Sequence, residues 1–192
     1  MRKLTAADIR DLREYERERD AFRSEIITVK KKRRIPLGDL MTIVFENAAT
    51  MRFQIQEMAR AERMLRDEQI ANEVETYNEL IPADGELSGT LFIEITDKEA
   101  LQYWLPRLVG IHEHLQFVID DTTVLGQAQN VDRLTREKTT TTVHYLKFAF
   151  TPAQQRAFET GPVRLVVDHP EYQVDITLSD EQRDELVGDF AA

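Results

Sequence analysis

Leu80-Ile81-Pro82-Ala83-Asp84-Gly85-Glu86-Leu87-Ser88-Gly89-Thr90-Leu91-Phe92-Ile93-Glu94-Ile95 is the stretch on which the fold turns. Pro82 removes a backbone donor and fixes φ, and Gly85 supplies the freedom of a tight turn. After this break, Leu87, Gly89, Leu91, Ile93 and Ile95 alternate with Ser88, Thr90, Phe92 and Glu94. A period of two puts alternate residues on opposite faces, which is a strand. Upstream the apolar spacing follows the helical period instead, so the sequence predicts an α+β chain divided near residue 82. A helical arm over 1–81 precedes a mostly antiparallel β-domain over 82–192, with about six strands and short helices.

Upstream of the break, Thr5-Ala6-Ala7-Asp8 has the form of a capping box, with Asp in place of Glu or Gln. Ile9, Leu12, Tyr15, Phe22, Ile26 and Val29 then recur at near-helical spacing, with Arg19 interrupting the stripe. This predicts a helix from about 6 to 31. Pro36 and Gly38 end it, and a second helix is expected from Asp39, with Leu40, Val44, Ala48, Met51, Ile55, Met58 and Leu65 on one face. Unbroken to Asn78, that helix would be about 60 Å long. A break is therefore expected near Arg66-Asp67, with Asp67 capping a new helix. An antiparallel helical hairpin, or an arm laid against a second subunit, would bury these stripes.

Downstream, Asp97 is set to cap a helix through Leu101, Trp104, Leu105 and Leu108. Residues 114–119 and 122–129 read as a hairpin across Asp120-Asp121. Residues 139–150, rich in threonine and aromatics, read as a strand. Thr151-Pro152 opens a short helix that Gly161-Pro162 closes. Two strands, 163–168 and 172–178, follow across a His169-Pro170 turn, and Ser179-Asp180-Glu181-Gln182 is a capping box for the last helix. Short links of this kind favour antiparallel pairing.

The 192 residues contain no cysteine, which excludes disulfides, thiolate metal sites and thiol nucleophiles. It also suits a reducing compartment. No apolar run reaches membrane-spanning length and the N-terminus has no signal-peptide core, so a cytoplasmic protein is expected. The net charge of −10 is uneven: residues 1–80 balance 16 basic against 16 acidic side chains, while 81–192 set 9 against 19. So acidic a protein is repelled by phosphate backbones, which argues against nucleic-acid binding. No glycine-rich phosphate loop and no G-x-S-x-G elbow is present.

All four histidines, His112, His114, His144 and His169, fall in the predicted β-domain. The arm carries Glu46, Glu57 and Glu62 but no histidine, which argues against a di-iron bundle site. If residues 112–114 are extended, His112 and His114 project from one face and can share a divalent metal with His144 or His169. Zinc, iron, nickel or copper would suit such nitrogen ligands. The alternative is ordinary surface or capping histidines. His144 lies in a row with Leu146, Phe148 and Phe150, which is the setting of a buried histidine bonded to backbone or a carboxylate, or of one lining a pocket. In Asp168-His169-Pro170-Glu171-Tyr172 the imidazole of His169 is expected to stabilise the turn, oriented by Asp168 or Glu171. His144, His169, Asp168 and Tyr172 are thus the candidate pocket residues. Lys30, Lys31, Lys32, Arg33 and Arg34 end the first helix, where cations offset the helix dipole. They are also a candidate docking patch for an acidic partner or a phosphate, including the acidic domain of a second subunit.

The stretches DIRDLREYERERDAFRSEIITVKKKRRIPLGDLMTIVFENAATMRFQIQEMARAER (8–63), YNELIPADGELSGTLFIEI (77–95), TTVHYLKFAFTP (141–152) and VDHPEY (167–172) together resemble a bacterial family of uncharacterised proteins. Its members are encoded beside rubrerythrin-like and iron–sulfur oxidoreductase proteins. The resemblance implies a cytosolic redox or peroxide-related setting and no particular mechanism. Three functions are therefore carried forward. The first is a non-catalytic accessory protein that associates with itself through the arm or docks a redox partner. The second is a metal-binding module or metal-dependent enzyme using the histidines. The third is a small-molecule sensor with a pocket between arm and sheet, near His144.

Overall fold

The computed structural model describes residues 1–129, 135–136 and 139–190. Helix α1 (Leu12–Arg33) leads into strands β1 (Arg34–Leu37) and β2 (Met41–Glu46), then α2 (Ala48–Ala61) and α3 (Asp67–Asn78). Next come β3 (Glu86–Ile93), α4 (Lys98–Trp104), β4 (Leu115–Ile119), β5 (Thr122–Leu125) and β6 (Gln127–Ala128). The short pair β7 (Thr135–Arg136) and β8 (Thr139–Thr140) precedes β9 (Val143–Ala149). The chain closes with α5 (Pro152–Thr160), β10 (Val163–His169), β11 (Tyr172–Thr177) and α6 (Asp180–Val187).

The fold is α+β, with an antiparallel five-stranded sheet in the order β1-β2-β3-β9-β6 and an antiparallel four-stranded sheet β11-β10-β4-β5. Their facing sides share one apolar core. Ile43, Phe45, Leu87, Leu91, Leu146 and Phe148 come from the first sheet, and Leu115, Phe117, Ile119, Leu165 and Val167 from the second. Alternation decides which residues enter. Met41, Ile43 and Phe45 point inward, whereas Thr42, Val44 and Glu46 point to the opposite side, where the helices lie. A smaller core of Leu4, Met51, Ile55, Val74 and Ile81 holds α2, α3 and the N-terminal segment together.

Two sequence expectations are corrected here. The helix expected from Asp39 is strand β2 as far as Glu46, so residues 1–81 are not helical throughout. Gly38, at φ 68°, turns the chain between β1 and β2. The sheet therefore runs across the Pro82 break, with Val44 opposite Thr90 and Ile43 opposite Leu91. The second correction is local: the Thr5–Asp8 box opens only a 3-10 turn over Ala6–Asp8, and Asp11 caps α1 by accepting from the Arg13 and Glu14 amides at 2.8 and 3.0 Å. The break near Arg66 occurs as expected, with Arg66 rather than Asp67 at the cap position of α3. Asp97, Thr151 and Ser179 cap α4, α5 and α6 as their sequences predict.

Helices α1 and α2 lie antiparallel, separated in sequence by β1 and β2 rather than joined as a helical hairpin, and they pack on each other. Arg60 reaches Glu16 near the start of α1, while Phe22 packs edge-on against Phe53 with ring centroids 5.7 Å apart. Between them Glu57 accepts from Tyr15 at 2.6 Å and takes both arms of Arg19 at 2.8 Å. The Arg19 guanidinium holds the Glu57 carboxyl below the usual range. Gln56 donates to the Arg10 carbonyl and accepts from its amide, at 2.9 and 3.1 Å. These contacts fix the spacing of the two helices above the sheet.

Candidate functional site

The helical layer does not close completely on the outer face of the five-stranded sheet. A groove of about 500 Å³ remains between α1, α2 and the sheet. Ile26, Ile27, Val44, Phe53 and Phe92 form its apolar wall, and Arg23, Lys30, Lys31 and Arg34 stand around it. A second compartment of about 220 Å³ adjoins it and shares Lys30, Glu46 and Phe92, with Tyr77 and Tyr145 among its other walls. Volumes of this order match small-molecule sites, in which an apolar lining carries a few polar groups.

Glu46 is the polar centre. It is 4% exposed, at the end of β2, where alternation turns its side chain toward the helices. Its Oε1 accepts from the Thr90 hydroxyl at 3.0 Å, and its Oε2 is buried with no hydrogen-bond partner. Leaving a buried carboxylate oxygen unmatched costs free energy. Of the rim cations, Arg34 pairs with Glu94, whose other oxygen accepts from Thr42 at 2.7 Å. The Thr42 and Arg34 bonds hold the Glu94 carboxyl below its usual range. Among the described residues, Arg23, Lys30 and Lys31 enter no ion pair of 4 Å or less with any acidic side chain. The groove therefore combines an apolar wall, three uncommitted cations and one buried acceptor. By contrast, a depression of about 300 Å³ between α1 and α2 is lined by Asp8, Arg10 and Glu18, whose charges are already matched, Asp8 by Arg2 and Glu18 by Arg10.

The basic run divides. Lys32 pairs with Glu181 at 3.5 Å, while Arg33 is 1% exposed and bonds the Phe45 carbonyl at 2.8 Å, Glu185 at 3.2 Å and Asp189. The acidic partner that these two residues need is α6 and the residues after it in the same chain. Lys30 and Lys31 are left for the groove.

The histidines form two pairs rather than one cluster. Residues 111–113 are a 3-10 turn, not a strand, so His112 and His114 do not share a face. His112 stacks on His144, with centroids 5.4 Å apart and planes within 18°. His114 meets His169 edge-on at 4.9 Å. Among the described residues no group of three or more His, Asp or Glu side chains is arranged to hold a metal ion. His144 is fully buried on the core side of β9, opposite the groove. Its Nε2 lies 2.9 Å from the Thr141 carbonyl, and its Nδ1 is unpartnered. Burial lowers its pKa to about 4, and burial also lowers that of His112.

At the β10–β11 turn, His169 Nε2 lies 3.1 Å from the Val109 carbonyl and its Nδ1 accepts from the Glu171 amide at 3.2 Å. The Asp168 carboxylate orients His114 at 3.2 Å, not His169. The Tyr172 hydroxyl donates to the Leu37 carbonyl at 2.6 Å and accepts from the Leu40 amide at 3.2 Å, pinning the β1–β2 turn. None of His144, His169, Asp168 and Tyr172 lines the groove. Of the residues that do, Lys30, Lys31 and Arg34 belong to the basic run that the sequence offers as a docking patch, whereas Glu46 falls in an expected helix and Phe92 in a strand with no role attached. The alternation Met41-Thr42-Ile43-Val44-Phe45-Glu46 was the available signal.

A family profile described as "Protein of unknown function (DUF3501)" matches residues 3–190. A crystal structure described as a novel protein of unknown function from Burkholderia pseudomallei K96243 is similar to this chain with a TM-score of 0.91. The two are 28% identical, and the similarity covers 98% of this chain and 99% of that one. No curated protein matches. Among the described residues, no helix is long and apolar enough to cross a membrane.

Proposed function

The chain belongs to the DUF3501 family of proteins of unknown function, and from that premise we propose a non-catalytic accessory protein that senses or carries a small amphipathic organic anion in the helix–sheet groove. One observation carries this reading: Arg23, Lys30 and Lys31, with no ion pair among the described residues, stand beside an apolar wall of Ile26, Ile27, Val44, Phe53 and Phe92. An anionic head meets the cations, and its hydrocarbon body covers the wall. Each buried methylene contributes up to about 0.8 kcal/mol. Decanoate is a suitable probe. Titration calorimetry on the full chain should give one site, and the exposed double substitution Arg23→Glu/Lys31→Glu should weaken binding about tenfold or more, with weaker binding as salt rises. No decanoate binding to the native protein would sink the reading.

The cytoplasmic, redox- or peroxide-related setting implied by the family resemblance remains part of the proposal. In that setting the bound anion would report to a rubrerythrin-like or iron–sulfur partner. Co-elution with such a protein tests it. Self-association through the helical part is a separate expectation, checked by sedimentation velocity. The metal reading of His112, His114, His144 and His169 is less favoured, because the rings form two pairs and three of the four, His112, His144 and His169, are buried.

A further inference from the structure

We infer that the ligand of this groove carries a neutral hydroxyl donor at a distance from its anionic head, and that Glu46 Oε2 accepts it. This rests on the reading of the groove as an amphipathic-anion site and specifies which anion. The Thr90 hydroxyl already serves Oε1, so the acceptor left over is a single buried oxygen of a residue that lines the site. Glu46 lines both compartments, as Phe92 does, so a group that reaches it from the larger groove has the apolar wall beside it. The cations and the acceptor therefore ask for opposite things from one molecule: negative charge at one end and a donor at the other.

The donor is a hydroxyl rather than an ammonium group because of Lys30. Lys30 lines both compartments together with Glu46 and is not within ion-pair distance of it. A second cation in the small compartment would stand beside that ammonium, and like charges at one site repel. A hydroxyl satisfies Oε2 without adding charge. The ligand class is thus an ω-hydroxylated carboxylic acid or a like amphipathic hydroxy-anion.

Titration calorimetry with decanoate, ω-hydroxydecanoate and ω-aminodecanoate on the full chain tests this. The hydroxy acid should bind the native protein about tenfold tighter than decanoate, the factor expected of a hydrogen bond to a charged acceptor. Glu46→Met should erase that preference. Should that variant fail to fold, Glu46→Gln, which keeps the shape and loses the charge, should reduce the preference. Equal binding of decanoate and ω-hydroxydecanoate by the native protein overturns this inference and leaves the amphipathic-anion reading standing. Binding of neither overturns both. Tightest binding of the amino acid overturns the choice of a neutral donor.

Discussion

His144 stands in an apolar row of β9, with one ring nitrogen on the Thr141 carbonyl and the other facing no donor. Only the neutral ring tolerates that position, and its stacking on His112 adds a second ring whose pKa burial also lowers. The consequence for stability has a definite sign. Below about pH 6.5 the unfolded chain takes up a proton at each histidine, while the folded protein refuses one at His144 until about pH 4. Stability should therefore be level above that range and fall as pH drops from about 6.5 toward 4. For His144 the loss is about 3 kcal/mol. Urea unfolding at several pH values measures it. His144→Met will lower stability at neutral pH and flatten the acid slope, and a slope unchanged by that substitution would refute the assignment. The sequence puts His144 in an apolar row, with Leu146, Phe148 and Phe150 at i+2, i+4 and i+6, which suits a buried ring or one lining a pocket. It does not show His112 as its partner, since a 3-10 turn and a strand start look alike over three residues.

At the scale of elements, Arg33 is the tie between three of them. It ends α1, bonds the Phe45 and Glu46 carbonyls at the end of β2, and meets Glu185 and Asp189 in and after α6. Burial pushes the Asp189 carboxyl up, and the Arg33 charge works against that. Arg33→Met strips a buried acid of its partner and should cost about 3–5 kcal/mol in urea unfolding. Adding Asp189→Leu should recover part of the loss, because the stranded charge goes with it. An additive double variant would mean that the pair is not coupled. Within the sequence, Arg33 is one of five consecutive cations, all equally suited to a helix end or a docking patch. What separates it from Lys31 is a helix about 150 residues downstream.

For the whole molecule, the sheet that joins the two halves of the chain is decisive. Strand β2 pairs with β3 across the Pro82–Gly85 break, and Ile35, Leu37, Met41, Ile43 and Phe45 lie in the same core as the later strands. A chain of residues 82–192 alone would expose the edge of β3 and lose that apolar surface. It should lack near-UV circular dichroism and dispersed amide resonances, whereas the full chain should show both. A well-dispersed spectrum from the fragment would show that the break near Pro82 separates independent units after all. The same arrangement forms the groove, since its wall is the outer face of β2 and β3 and its cover is α1 and α2.

The sequence by itself determined the α+β class, the break at Pro82, the caps at Asp97, Thr151 and Ser179, and the apolar row that holds His144. Each of these follows from residues within a few positions of one another, where turn chemistry and periodicity act. Only the tertiary structure decided that residues 41–46 are a strand, that Lys32 and Arg33 are spent on α6, and that Glu46 lies within a groove. Six residues with four apolar side chains carry only a weak alternation, too short to outweigh the helical spacing around them until the partner strand is known. The partners here, β3 for β2 and α6 for the basic run, are brought in from distant positions by formation of the shared core.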